Sequence, residues 1–282
     1  MTTSPSSSPS LERLIGHLRD TDPADAEALK ACCATTYGLD LIGLLLGDSY
    51  HPGGVALTRR LADAIGLRPG ERVLDIASGI GTTALLLAAE RDAAVVGIDL
   101  GDAQVARATA RAADAGLDGR TRFEVGDAER LPVDDAGFDA AVCECALCTF
   151  PRKDTAAAEL TRALRPGGRV GITDVWLDPA RLDPGLRGLA GRIACLADAR
   201  PIDEVRGTLE RAGLTVNRVE RHDHALVETI ERVAARLRAL RLLDLPILRP
   251  FDLARAIDLA GRAAAAVERG EAGYMLLTAT KP

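Results

Sequence analysis

The side chains in this 282-residue chain best suited to chemistry are thiols and carboxylates. Three of its six cysteines fall within CECALC at 143–148. Thiolates are soft ligands and good nucleophiles, while a buried neutral cysteine packs as a small hydrophobe. Structural zinc suits this run poorly. Its C-x-C-x-x-C spacing has no second C-x-x-C pair and no H-x-x-x-H to complete a four-ligand site. Core packing accounts for Cys143 and Cys148. The chemical alternative rests on Cys145, Cys195 and the adjacent pair Cys32–Cys33.

A second set surrounds the stretch VLDIASGIGTTA. Gly79 and Gly81 stand where a strand passes into a helix, so backbone can approach a ligand closely beside unpaired N–H groups. Taken alone, GIGTTA fits the dinucleotide pattern G-x-G-x-x-A. Three carboxylates turn the reading elsewhere. Asp75, four residues before Gly79, suits a cationic ligand better than a pyrophosphate. Asp99 ends the next strand, where it can accept both hydroxyls of a ribose. Asp127 in GDAE (126–129) is placed to accept from an adenine amino group. All three sit at the carboxyl ends of successive strands, where open α/β sheets bind ligands.

The elements that must position them follow a rhythm. Runs at 72–77, 93–100, 121–128, 138–145 and 167–176 read as strands, as does TVNRVERH at 215–222, with helical patterns between several of them. Alternation of this kind predicts a doubly wound, mostly parallel sheet with helices on both faces. Upstream, 11–19 reads as a helix, and the helix through Cys32–Cys33 is expected to start at Asp22 as N-cap with Pro23 behind it. The glycine-flanked GDSYHPGG (47–54) reads as a loop able to cover a ligand. Long helical stretches fill 224–270, and 272–281 is a last apolar strand.

The combination VLDIASGIG…GIDL…GDAE…LRPGGRV resembles the class I S-adenosylmethionine-dependent methyltransferases over about residues 60–220. The resemblance implies a Rossmann-like seven-stranded sheet whose last strand is antiparallel. It also implies S-adenosylmethionine as cofactor, held by Asp75, Ala77, Gly79, Gly81, Asp99, Leu100, Asp127, Ala128 and Cys145. The longer run from CECALCTFP to RIACLADARP resembles the arsenite methyltransferase branch. That likeness implies trivalent arsenic bound by Cys145, Cys195 and a third thiol, Cys33 or Cys32. Soft thiolates suit such a centre, whose lone pair would attack the methyl group. GDSYHPGG and the 224–270 helices depart from that branch. The alternative is an N-, O-, C- or S-methyltransferase of a small molecule, with Tyr37, Tyr50, His51 or Glu144 supplying polar contacts or a base.

Bulk properties bound the rest. Net charge is −6 and aromatics make up 3% of residues, so the core must be Ala, Leu, Val and Ile. Acidic and basic residues alternate without a basic block, which argues against a nucleic-acid partner. No apolar run nears the roughly 18 residues of a membrane span. The opening MTTSPSSSPS lacks the basic start and apolar core of a signal peptide, and reads as a disordered tail in a cytoplasmic protein. Residues 11–282 are expected to form one domain: a core at about 60–222, helical additions at 11–59 and 224–270, and the last strand.

Overall fold

A computed structural model describes residues 25–38, 40–47, 49–181, 186, 198–243 and 252–282. Seven strands form one sheet: β1 (Arg72–Ile76), β2 (Ala94–Asp99), β3 (Thr121–Val125), β4 (Phe138–Glu144), β5 (Leu164–Leu177), β6 (Thr215–Arg221) and β7 (Ala272–Thr280). Their order is β3-β2-β1-β4-β5-β7-β6. Strands β1 to β5 pair in parallel, and β7 runs antiparallel to both β5 and β6. The order reverses at β1, so β1 and β4 leave a crevice between their carboxyl ends, the usual place for a ligand in such sheets.

The helices are α1 (Ala26–Tyr37), α2 (Asp40–Leu46), α3 (Gly54–Ala64), α4 (Thr82–Arg91), α5 (Asp102–Asp114), α6 (Lys153–Ala163), α7 (Ile202–Arg211), α8 (Asp223–Leu242) and α9 (Leu253–Glu268). Burial on both sheet faces explains why the central strands are apolar runs instead of alternating patterns. One core cluster joins Leu57, Leu61, Leu87 and Val95 to Tyr274 and Leu276. The other joins Leu74, Ile98, Leu160 and Leu209 to Met275 and Leu277. Successive residues of β7 thus feed opposite faces, as a two-residue period requires. Small side chains such as Ala84, Ala108 and Ala157 let the helices lie close to the sheet where aromatics are scarce.

The expected start of the first described helix is corrected. It begins at Ala26, where the Asp25 carboxylate accepts from the N–H groups of Glu27 and Ala28 at 3.0 and 3.1 Å. Asp25 takes the N-cap role because its extended backbone aims its oxygen at both orphan donors. The tail at 1–10, the helix at 11–19 and the Asp22–Pro23 start lie outside the described residues. No helix among the described residues is long and apolar enough to cross a membrane.

Candidate active site

A cleft opens where the carboxyl ends of β1 to β4 meet the front helices, lined by Asp75, Ala77, Gly79, Asp99, Leu100, Asp127, Ala128 and Cys145. Of the expected cofactor residues, Gly81 alone turns elsewhere. A Cβ on Gly81 would come within 2.8 Å of Phe123 and 3.0 Å of Ala108, whereas one on Gly79 would meet nothing within 4 Å. Gly81 therefore lets α4 pack close to β3 and α5, while Gly79 borders open space. Both have positive φ, +78° and +54°, which favours glycine.

The three carboxylates differ in their surroundings. Asp75 is 2% exposed, and its Oδ2 has no hydrogen-bond partner. Burial, then the charges of Glu144 and Asp99, push its carboxyl well above the ordinary range, against a pull from the Ala84 N–H. Asp99 accepts from Gly79 N at 2.8 Å and Gly101 N at 2.9 Å, tying together the loops after β1 and β2. Burial raises its carboxyl, and these backbone donors temper the rise. Asp127 accepts from Lys30 Nζ at 2.7 Å and Glu129 N at 2.8 Å. Burial opposes its charge, yet those donors hold its carboxyl below the ordinary value.

The far wall is polar and buried. Glu144 Oε2 accepts from the hydroxyls of Thr58 at 2.9 Å and Thr83 at 2.6 Å, and Oε1 from Thr173 at 3.3 Å. His51, 6% exposed, sets Nε2 3.5 Å from Glu144 Oε2 and 3.3 Å from Thr58 Oγ1, with Nδ1 3.2 Å from the Pro52 carbonyl. His51 and Tyr50 bring the 47–54 loop onto the cleft, together with Tyr37 from α1.

The cysteines separate. Strand β4 ends at Glu144, and Cys145 takes φ +55° while donating its N–H to the Thr173 carbonyl at 2.6 Å. Continued alternation would put Cys143 and Cys145 on one face. The left-handed turn sends them apart: Cys143 packs in the cluster of Leu74, Ile98 and Met275, and Cys145 lines the cleft against the other cluster. Cys33 also lines the cleft, whereas Cys32, Cys143 and Cys148 are buried. Cys195 lies outside the described residues. Among the described residues, no group of three or more His, Cys, Asp or Glu is placed to hold a metal ion.

Sequence reasoning missed Lys30 and Gln104, which both line the cleft from helices. Neither stands in a motif, so nothing local marked them. Glu129 was within the quoted GDAE, and only the fold shows its side chain 2% exposed against Lys30.

A glycine-bounded cleft at the β1–β4 switch point, with an antiparallel β7, defines a class. The chain belongs to the class I S-adenosylmethionine-dependent methyltransferases, and residues 73–168 match the family model described as a methyltransferase domain. It is 33% identical to 27-O-demethylrifamycin SV methyltransferase of Amycolatopsis mediterranei, over 86% of this chain and 93% of that protein. Arsenite methyltransferase of Halobacterium salinarum is 32% identical, over 52% of this chain and 38% of that protein. Among solved structures, the [4+2]-cyclase SpnF superposes with a TM-score of 0.71 at 27% identity, covering 88% of this chain and 95% of that one.

Proposed function

We propose that the chain methylates a hydroxyl oxygen of a small organic molecule, with S-adenosylmethionine as donor. The extent of the likeness to the rifamycin-series enzyme carries this reading. That match includes regions outside the sheet core, whereas the match to the arsenite enzyme covers about half the chain. Acceptor binding draws on such outer regions, because family members share the core.

The cleft fits the donor. In this reading the orphaned Asp75 Oδ2 takes the donor's ammonium, Asp99 the ribose diol and Asp127 the adenine amino group, with Leu100 and Ala128 beside the base. Open space at Gly79 admits the ribose. When bound, S-adenosylmethionine supplies a methyl group activated on a sulfonium. On the chain's side, His51 holds its tautomer by donating Nδ1–H to Pro52, which leaves Nε2 to accept the hydroxyl proton. Glu144 balances the resulting imidazolium. Thr58 and Thr83 keep that carboxylate in place.

Turnover decides between acceptors. Labelled methyl transfer to 27-O-demethylrifamycin SV or other polyhydroxylated natural products, with none to arsenite plus a thiol reductant, is the expected result. A second reading keeps arsenite, favoured by Cys33 and Cys145 on one cleft. Transfer to arsenite that vanishes in Cys145→Ser would replace the hydroxyl reading.

The raised carboxyl of Asp75 gives a pH prediction. A cationic donor favours its ionised form, so binding should release a proton at pH values below the raised free-state pKa. Affinity should then rise with pH through that window and level off above it. Stability should move the other way. The folded chain holds a proton that the unfolded chain has lost, so stability falls as pH climbs from the ordinary carboxylate range. Calorimetry of S-adenosylhomocysteine in two buffers of different ionisation enthalpy checks the first part. Equal heats in wild type, or a difference that survives Asp75→Asn, would remove Asp75 from the site.

A further inference from the structure

Lys30 is a buried ammonium, 8% exposed, for which the methyl-transfer reading supplies no task. It projects from α1, the helix that also brings Cys33, Ala34 and Tyr37 to the cleft. Its Nζ lies 2.7 Å from Asp127 Oδ2, 2.5 Å from Glu129 Oε2 and 3.3 Å from Glu27 Oε1. Arg152 closes the ring, with Nη2 2.9 Å from Glu27 and Nε 2.8 Å from Glu129. Gln104 Nε2 adds a bond to the Ala34 carbonyl at 3.1 Å. Leu29 and Cys32 give α1 an apolar footing, and these polar contacts fasten it to the loops after β3 and β4 and to α5.

We propose that Lys30 is a positioning residue that clasps α1 over the donor by sharing the Asp127 carboxylate with the adenine amino group. The inference rests on the adenine role given to Asp127 above. A carboxylate offers about four acceptor sites, and Asp127 spends one on Glu129 N and one on Lys30. Room remains for an adenine N–H. Lys30 holds the carboxylate in the orientation that the base requires, and the same ion pair holds the helix that covers the base. Donor binding and helix closure therefore strengthen each other by the same factor, as linkage demands. Separating the buried Lys30 ammonium from the buried Glu129 carboxylate is costly, so product leaves only when the whole clasp opens.

Release of tritiated S-adenosylhomocysteine, chased with unlabelled ligand, tests this alongside chymotrypsin cleavage of the ligand-free protein at Tyr37. Lys30→Met keeps most of the stem and removes the charge. It should release ligand about tenfold faster, the direction expected for truncating one partner of a buried charge pair. Cleavage in α1 should also quicken, and Lys30→Arg should restore both. A melting temperature near that of wild type shows that the variant is folded. Wild-type release from Lys30→Met, faster cleavage without faster release, or failure of Lys30→Arg to rescue would each overturn the clasp. Asp127→Asn separates the underlying reading. Unchanged affinity there overturns the adenine role and the shared carboxylate together. Weakened affinity there, with wild-type release from Lys30→Met, overturns the clasp alone.

Discussion

Gly79→Val is expected to abolish S-adenosylhomocysteine binding in a protein that still folds, whereas Gly81→Val is expected to destabilise the fold itself. The two glycines lie two residues apart in one motif. A Cβ on Gly79 meets no protein atom within 4 Å and enters the space assigned to the donor. Its cost to the fold is the strain of a left-handed backbone, about 1–2 kcal/mol. A side chain on Gly81 carries the same strain and also collides with Phe123 and Ala108. Overpacking a core typically adds about 1–3 kcal/mol. For a chain of this size the combined loss lowers the melting temperature by roughly 10 °C. Thermal melts and calorimetric titrations on both variants separate these outcomes. Wild-type affinity in Gly79→Val would show that the open space belongs to something other than the donor.

Asp99→Ala should weaken S-adenosylhomocysteine by about 10- to 100-fold, the scale of 1–3 kcal/mol for stranding a buried hydrogen-bonding partner. Two losses combine. The ribose hydroxyls lose their acceptor, and the N–H groups of Gly79 and Gly101 lose the carboxylate that joins their loops. Asp99→Asn separates the two, because its single carbonyl oxygen can still hold one loop. Titration calorimetry on all three proteins should place Asn between Ala and wild type. Equal affinity in wild type and Ala would remove Asp99 from the donor site.

The centre of the sheet was legible because β1, β2 and β4 are short apolar runs. That pattern is local, and it survives without knowledge of the rest of the chain. The acidic ends at Asp75, Asp99 and Asp127 were legible for the same reason, since strand ends are visible in sequence and the crevice lies at their carboxyl side. What stayed hidden depends on distant contact or on backbone that sequence does not announce. Lys30 meets Asp127 across the fold, and nothing near position 30 signals it. The left-handed turn at Cys145 is taken by a residue that rarely adopts it, so strand alternation does not foretell that thiol's face. Gly79 and Gly81 look alike in sequence, and only packing tells the glycine that borders open space from the one that admits a neighbour.

The placing of β7 between β5 and β6 governs the order in which the chain can be finished. Thr215–Arg221 leaves the ribosome before its sheet partner Ala272–Thr280 has been made. Until that partner arrives, β5 shows an unpaired edge and β6 has no sheet to join. Helices α8 and α9 are completed in the interval, and α8 packs on β7 as well as on α9. A nascent chain halted before residue 272 therefore exposes two sticky strands and a helix pair lacking its floor, the condition in which chains aggregate or recruit chaperones.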